Sequence, residues 1–169
     1  TVSAEYLPEV FLASGFFFER PGCHQRLSFY SYQFGVIIFS MNIAIVTGAS
    51  SGMGRDFVSA VDQEYNLDEI WVIARREDRL KALEGTVKAK IRPLVLDLSL
   101  NSSIDTIGAL LEKERPSVKI LVNAAGYGVF GAFTDNTLEE TTGIIDLNDK
   151  SLVAVTYTVL PYMKENSAI

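Results

Sequence analysis

Ile43-Ala44-Ile45-Val46-Thr47-Gly48-Ala49-Ser50-Ser51-Gly52-Met53-Gly54-Arg55 is the stretch whose reading decides the fold. Ile43 to Val46 is an apolar, β-branched run of the kind that forms a buried parallel strand. The run breaks at Gly48, and a helical pattern starts near Met53. Gly48, Gly52 and Gly54 fall between them at the spacing G-x-x-x-G-x-G. A strand, a glycine turn and a helix N-terminus together build an anion site. Glycine lets backbone N–H groups approach a phosphate, and the helix dipole favours negative charge there. The stretch therefore reads as the pyrophosphate cradle of a dinucleotide. A structural βα turn is the competing reading, and the strand-to-helix context favours the cradle.

Downstream, apolar runs alternate with helical patterns. A helix from Met53 to Tyr65 carries Phe57, Val58 and Val61 on one stripe. Ile70 to Ala74 is a second strand, followed by a charged segment, Arg75 to Leu83, with Leu80 and Leu83 facing in. Ile91 to Leu96 is a third strand, and Pro93 places it at an edge. Asn101 to Glu114 is a helix, capped by Asn101 or a neighbouring serine. Val118 to Val122 is a fourth strand. Thr137 to about Lys164 is a long helix, opened by a capping box of Thr137 and Glu140. Strands alternating with helices mean βαβ units, hence an α/β fold: a Rossmann-type doubly wound parallel sheet, incomplete on its C-terminal side. Ligands in such sheets sit at the carboxyl ends of the strands.

Five pieces in order carry a family resemblance: Thr47-Gly48-Ala49-Ser50-Ser51-Gly52-Met53-Gly54, Ala74-Arg75-Arg76, Asp97-Leu98, Asn123-Ala124-Ala125-Gly126, and Asn148 within Leu147-Asn148-Asp149-Lys150. From Met41 to Ile169 the chain resembles the N-terminal portion of a short-chain dehydrogenase/reductase. The resemblance implies an oxidoreductase that moves hydride between a nicotinamide and a carbonyl or secondary alcohol. It implies cofactor contacts from Gly48, Ser50, Ser51, Gly52, Met53 and Gly54, with the serine hydroxyls reaching phosphate oxygens. Asp97 would accept from the adenine amino group and Leu98 would line its pocket; the alternative for Asp97 is a cap on the following helix. Asn123, Ala124, Ala125 and Gly126 would support the sheet beside the cofactor, with Ala124 standing where the family usually has Asn. Asn148 would be catalytic, its backbone carbonyl holding a relay water; a solvent-facing polar position is the alternative. Family members commonly associate through the long helix, so a homo-oligomer is expected of the full-length protein.

Arg75 and Arg76 choose between cofactors. NAD-preferring folds usually place an acid after the second strand to bond the ribose 2′-hydroxyl. Here Ala74 and two arginines stand there, and guanidinium groups bind phosphate through forked hydrogen bonds. This predicts NADP(H) over NAD(H), with Arg75 as the stronger candidate.

The family's Ser and Tyr-x-x-x-Lys do not occur. Tyr6, Tyr30, Tyr32, Tyr65, Tyr127, Tyr157 and Tyr162 are followed four residues on by Val10, Phe34, Val36, Glu69, Gly131, Pro161 and Asn166. The chain is thus expected to be a fragment, with the fourth strand as an open edge and Leu152, Val153, Val155 and Leu160 of the long helix uncovered. A non-enzymatic NADP-binding sensor is the alternative function. A P-loop hydrolase is disfavoured, because Arg55-Asp56 follows Gly54 where Lys-Ser/Thr is needed.

The remaining bounds are simple. The 169 residues suit one globular domain. A net charge of −6 argues against nucleic acid. The apolar run Phe34 to Val46 is too short to span a membrane. The single cysteine, Cys23, permits no internal disulfide and leans toward the cytoplasm. Cys23 and His24 cannot by themselves build a metal site. Residues 1 to 40 hold seven of the ten Phe and three of the seven Tyr, and lack sustained periodicity. They read as an atypical extension upstream of Met41; a divergent arm packing Phe34 to Phe39 on the sheet is the alternative. Mass spectrometry of the natively expressed N-terminus separates the two.

Overall fold

The structure is a computed structural model and describes residues 40–169. The readings of Cys23, His24 and the aromatic extension lie outside the described residues. Five parallel strands run in the order β3-β2-β1-β4-β5. They are β1 (Asn42–Thr47), β2 (Glu69–Ala74), β3 (Lys90–Val95), β4 (Ser117–Val122) and β5 (Met163–Ala168). The helices are α1 (Gly52–Glu64), α2 (Glu77–Lys81), α3 (Asn101–Glu114), α4 (Leu138–Ile145) and α5 (Ser151–Val159). Strand β3 lies at one edge, as Pro93 predicted.

The period-two alternation of the strands splits the core into two layers. Ala44, Val46, Ile70 and Val72 point to one face, where Val58 and Val61 of α1 and Leu80 of α2 cover them. Ile43, Ile45, Trp71 and Ile73 point to the other, against Ile107 and Leu111 of α3 and Val155 and Val159 of α5. Helices on both faces make the sheet doubly wound. The chain fills β1, β2 and β3 outward on one side, then returns to β4 on the other. The strand order therefore reverses beside β1, which is where such sheets open a crevice.

Several boundaries differ from expectation. The charged segment after β2 is helical only over Glu77–Lys81, although Leu80 and Leu83 are buried as expected. Helix α3 begins at Asn101 behind Leu100, with no side-chain cap. Asp97 instead accepts from Ser99 one turn earlier (backbone N–H 3.1 Å, hydroxyl 2.7 Å), so neither residue caps the helix.

The long helix is not one helix. Thr137 and Glu140 do form the capping box of α4. A π-helical turn follows over Asp146–Lys150, where the Ser151 N–H reaches back five residues to the Asp146 carbonyl. Then α5 runs to Val159 and tightens into a 3-10 turn, Leu160–Tyr162. Pro161 explains that ending: it has no N–H to continue the ladder, and its ring crowds the preceding turn. The residues after Tyr162 form β5, so β4 is paired and not an open edge. The pairing is irregular. Val118 faces Met163 and Ile120 faces Ala168, with the chain looping out between them. Asn166 takes a left-handed φ of 65° there, and the Ser167 hydroxyl donates to the Val118 carbonyl at 2.8 Å. Val155, expected to be uncovered, is buried against α3, because it shares an i, i+4 row with Ser151 and Val159. Leu152, Val153 and Leu160 are exposed as expected.

At the amino end of the sheet, Arg92 clamps Glu114 with two hydrogen bonds of 2.6 and 2.8 Å. Its guanidinium lies 4.7 Å from the centroid of the buried Trp71 ring, and the Trp71 N–H donates to Glu69 at 3.2 Å. This cluster fastens α3 to β2 and β3 far from the crevice.

Candidate cofactor site

At the carboxyl ends of β1, β2 and β4 the chain encloses a cavity of about 450 Å³. Its walls include Gly48, Ser50 and Ser51 from the glycine turn, and Ala74, Arg75 and Arg76 from the end of β2. Asp97 and Leu98 come from beyond β3; Ala124, Ala125, Gly126 and Tyr127 follow β4; Leu147 closes one side. All five pieces quoted from the sequence thus contribute walls to one cavity, the fifth through Leu147 and not through Asn148.

The glycine turn is built by close packing. Gly48 has φ +67°, and a Cβ there would lie 2.4 Å from the Ala124 carbonyl oxygen. Any side chain would push β1 and β4 apart. Thr47, which the sequence reading did not single out, completes the joint. Its hydroxyl donates to the Val122 carbonyl (3.3 Å) and accepts the N–H groups of Ala124 (3.0 Å) and Ala125 (3.1 Å). A polar residue closing an apolar strand was the available signal.

Gly52, Met53 and Gly54 form the first turn of α1 rather than the cavity wall. Ser51 occupies the N-cap position but makes no side-chain cap, and the first turn holds no acidic residue. Its first N–H groups thus have neither a capping side chain nor a first-turn carboxylate of the chain as partner. The contrast is α4, where the Thr137 hydroxyl accepts the Glu140 N–H at 3.2 Å.

The two arginines divide. Sequence position favoured Arg75, but Arg76 is the one that reaches the turn, donating to both the Ser50 and the Ser51 hydroxyls at 2.9 Å. Arg75 points toward Asp97, at 3.9 Å, with 70% of its side chain exposed. Burial pushes the Asp97 carboxyl up, but the two Ser99 hydrogen bonds and the Arg75 charge outweigh it and hold the carboxyl below its ordinary range. Asp97 thus faces the cavity as an anionic acceptor.

Asn123 turns away from the cavity and donates to the Thr156 hydroxyl of α5 at 3.0 Å. Asn148 sits in the π turn and does not line the cavity. Its side chain clasps the backbone of Tyr127: Nδ2 donates to the carbonyl (2.9 Å), and Oδ1 accepts the N–H (3.0 Å). It is therefore not merely a solvent-facing polar position; it holds the loop that leaves β4.

The sequence profile of the family described as short chain dehydrogenase matches residues 42–168. The chain belongs to the short-chain dehydrogenase family. A short chain dehydrogenase of Pseudocercospora fijiensis is 36% identical over 130 residues, covering 74% of this chain and 41% of the relative. A protein of Pyrenophora tritici-repentis named very-long-chain 3-oxoacyl-CoA reductase is 31% identical over 129 residues, covering 71% of this chain and 37% of the relative. Among solved structures, the short-chain dehydrogenase from Sphingobium yanoikuyae in complex with NADPH superposes with a TM-score of 0.64 at 26% identity, covering 72% of this chain and 48% of that one. The chain spans about half the length, or less, of the curated relatives it matches, 54% for an uncharacterized oxidoreductase of Staphylococcus epidermidis. Among the described residues, no helix is long and apolar enough to cross a membrane.

Proposed function

We propose that this chain supplies the NADP(H)-binding portion of an oxidoreductase that moves hydride between the nicotinamide and a carbonyl or secondary alcohol. The observation that carries the reading is Arg76, set 2.9 Å from both Ser50 and Ser51. A cation and two hydroxyls converge after β2, where an NAD-binding fold presents an acid. Three donors clustered there suit a ribose 2′-phosphate. The glycine turn and the first N–H groups of α1 would hold the pyrophosphate, and Asp97 and Leu98 the adenine. When bound, the nicotinamide supplies the hydride chemistry. The chain's own part is to orient it and, through the Asn148 backbone carbonyl, to hold a water that passes a proton.

The complexed NADPH of the Sphingobium yanoikuyae relative supports the phosphorylated cofactor. The reductase named from Pyrenophora tritici-repentis supports a carbonyl substrate. The exposed Leu152, Val153, Tyr157 and Leu160 of the α5 region support a homo-oligomer of the whole protein. Turnover is assigned to that whole protein, since no Tyr-x-x-x-Lys occurs in this chain. The test is to titrate the chain with NADPH and NADH, following nucleotide fluorescence. NADPH binding more tightly is the expected result. Equal or tighter NADH binding overturns the assignment.

A further inference from the structure

The loop that leaves the cavity has a composition that the cofactor does not use. From Gly126 to Thr134 the sequence is Gly-Tyr-Gly-Val-Phe-Gly-Ala-Phe-Thr, without one charged side chain. Its apolar groups are not folded into the core. Phe130 is fully exposed, Phe133 is 79% exposed, and Leu138 beyond them is 73% exposed. Aromatic side chains of this size are ordinarily the first to be buried.

The position of the loop says what it serves. It continues without a break from Ala125 and Gly126, and its first side chain, Tyr127, is itself a wall of the cavity. It lies beyond the carboxyl end of β4, on the side where ligands of such sheets bind. Its root is fixed, because Asn148 holds both backbone polar groups of Tyr127. Asp135, the first charged group after it, is turned back to accept the Ala132 N–H at 3.3 Å. The loop therefore presents a run of apolar groups from an anchored base and offers a ligand no charge.

The geometry points to Phe130 and Phe133 as the apolar wall of the substrate site, which selects carbonyl compounds with a long or bulky hydrocarbon portion over small polar ones. This inference rests on the oxidoreductase reading for the carbonyl, but the apolar selection comes from the loop alone. The cavity's charged groups, Arg75, Arg76 and Asp97, lie toward the ends of β2 and β3. The uncharged side, at Tyr127, is left for a substrate.

The test uses this chain with a methyl ketone series, comparing dodecanone with butanone, with and without NADPH. The readout is the backbone amide NMR signals of Gly126, Gly128 and Gly131. Dodecanone is expected to move these signals saturably, at concentrations where butanone does not. Replacing both phenylalanines (Phe130→Ser, Phe133→Ser) should weaken dodecanone about tenfold or more, since the contact area of two aromatic rings is lost. Both residues are exposed, so the fold is expected to survive, and unchanged signals from β1 and α1 check this. The inference is overturned by equal binding of the two ketones. It is also overturned if the double variant binds dodecanone as well as the parent chain, or if the shifts fall on Leu152, Val153 and Tyr157 instead. NADPH affinity is read separately from nucleotide fluorescence in the same samples. Its failure would sink the cofactor assignment, while the ketone comparison without NADPH still decides the wall.

Discussion

Thr47 Oγ stands 3.0 Å from the Ala124 amide nitrogen and accepts its hydrogen, so one buried hydroxyl joins the ends of β1 and β4. Thr47→Val keeps the shape but leaves the Ala124 and Ala125 N–H groups without that partner. These donors are half-buried, so leaving them unpaired costs toward the lower end of about 1–3 kcal/mol. Urea unfolding should show a loss in that range, and Thr47→Ser should restore most of it.

Gly48 and Gly52 share a left-handed backbone but not their surroundings. A Cβ at Gly52 meets nothing within 4 Å, whereas one at Gly48 strikes the Ala124 carbonyl. Gly52→Ala should cost roughly 1–2 kcal/mol, the strain of a left-handed L-residue. Gly48→Ala should cost clearly more, because β4 must also shift. Thermal unfolding of the two variants side by side checks the order.

Removing Arg76 should separate the two nucleotides. Arg76→Ala is expected to weaken NADPH about tenfold or more while leaving NADH nearly unchanged. Arg75→Ala should change either affinity by much less, since that side chain projects into solvent beside Asp97. If Arg75→Ala has the larger effect on NADPH, the assignment of the phosphate to Arg76 is wrong.

Asn148 gives a prediction about dynamics. Asn148→Ala removes both side-chain bonds to Tyr127, worth about 0.5–1.5 kcal/mol each. Hydrogen exchange at the Tyr127 amide should quicken strongly, while exchange in β1 stays slow. A uniform change across the chain would mean that Asn148 supports the whole fold and not the loop.

The acid limb of stability should depend on Glu114. Its hydrogen bonds to Arg92 hold the carboxyl below the ordinary glutamate value, with burial opposing them. A depressed folded pKa means the stabilisation is complete above the unfolded value and is lost as pH falls through the folded value. Glu114→Gln should therefore cost about 1–2 kcal/mol near neutral pH. It should cost nearly nothing once pH has dropped below the folded pKa. Unfolding curves across the acid range measure this difference.

The alternation of strands and helices, the edge position of β3 and the glycine turn between β1 and α1 were legible because each rests on local pattern. Ile43 to Val46 alternates between two core layers, and Pro93 can sit only where no neighbour needs its N–H. What escaped was decided across the chain. Which arginine meets Ser50 depends on how the backbone leaves β2, and adjacent residues differ there by a full change of direction. Val155 reads as apolar in any register; only the packing of α3 shows that it is covered. Thr47 stands out only as a polar residue closing an apolar strand; its three partners come from β4 and the turn after it, which local pattern does not show. Lys164 to Ala168 is polar and lacks strand character by composition. Only the family's order of elements places the start of a fifth strand there, and Pro161 frees it by ending the helix beside β4.

The π turn has a consequence for how the loop is read by the helix. A Cβ at Gly143 would sit 2.8 Å from the Tyr127 phenol oxygen, and Asn148 binds the backbone of the same Tyr127. Residues five apart on a regular α-helix point about 140° away from each other. The one extra residue per turn between Asp146 and Lys150 brings them onto a common side, one meeting the ring and the other the peptide groups. Straightening that turn at constant length would leave the helix helical and its composition intact. Yet Gly143 and Asn148 would then point about 140° apart, and Tyr127 would lose its hold on one of them. The wide turn thus behaves like a cam: the loop is gripped at two points only while the five-residue step is taken through it.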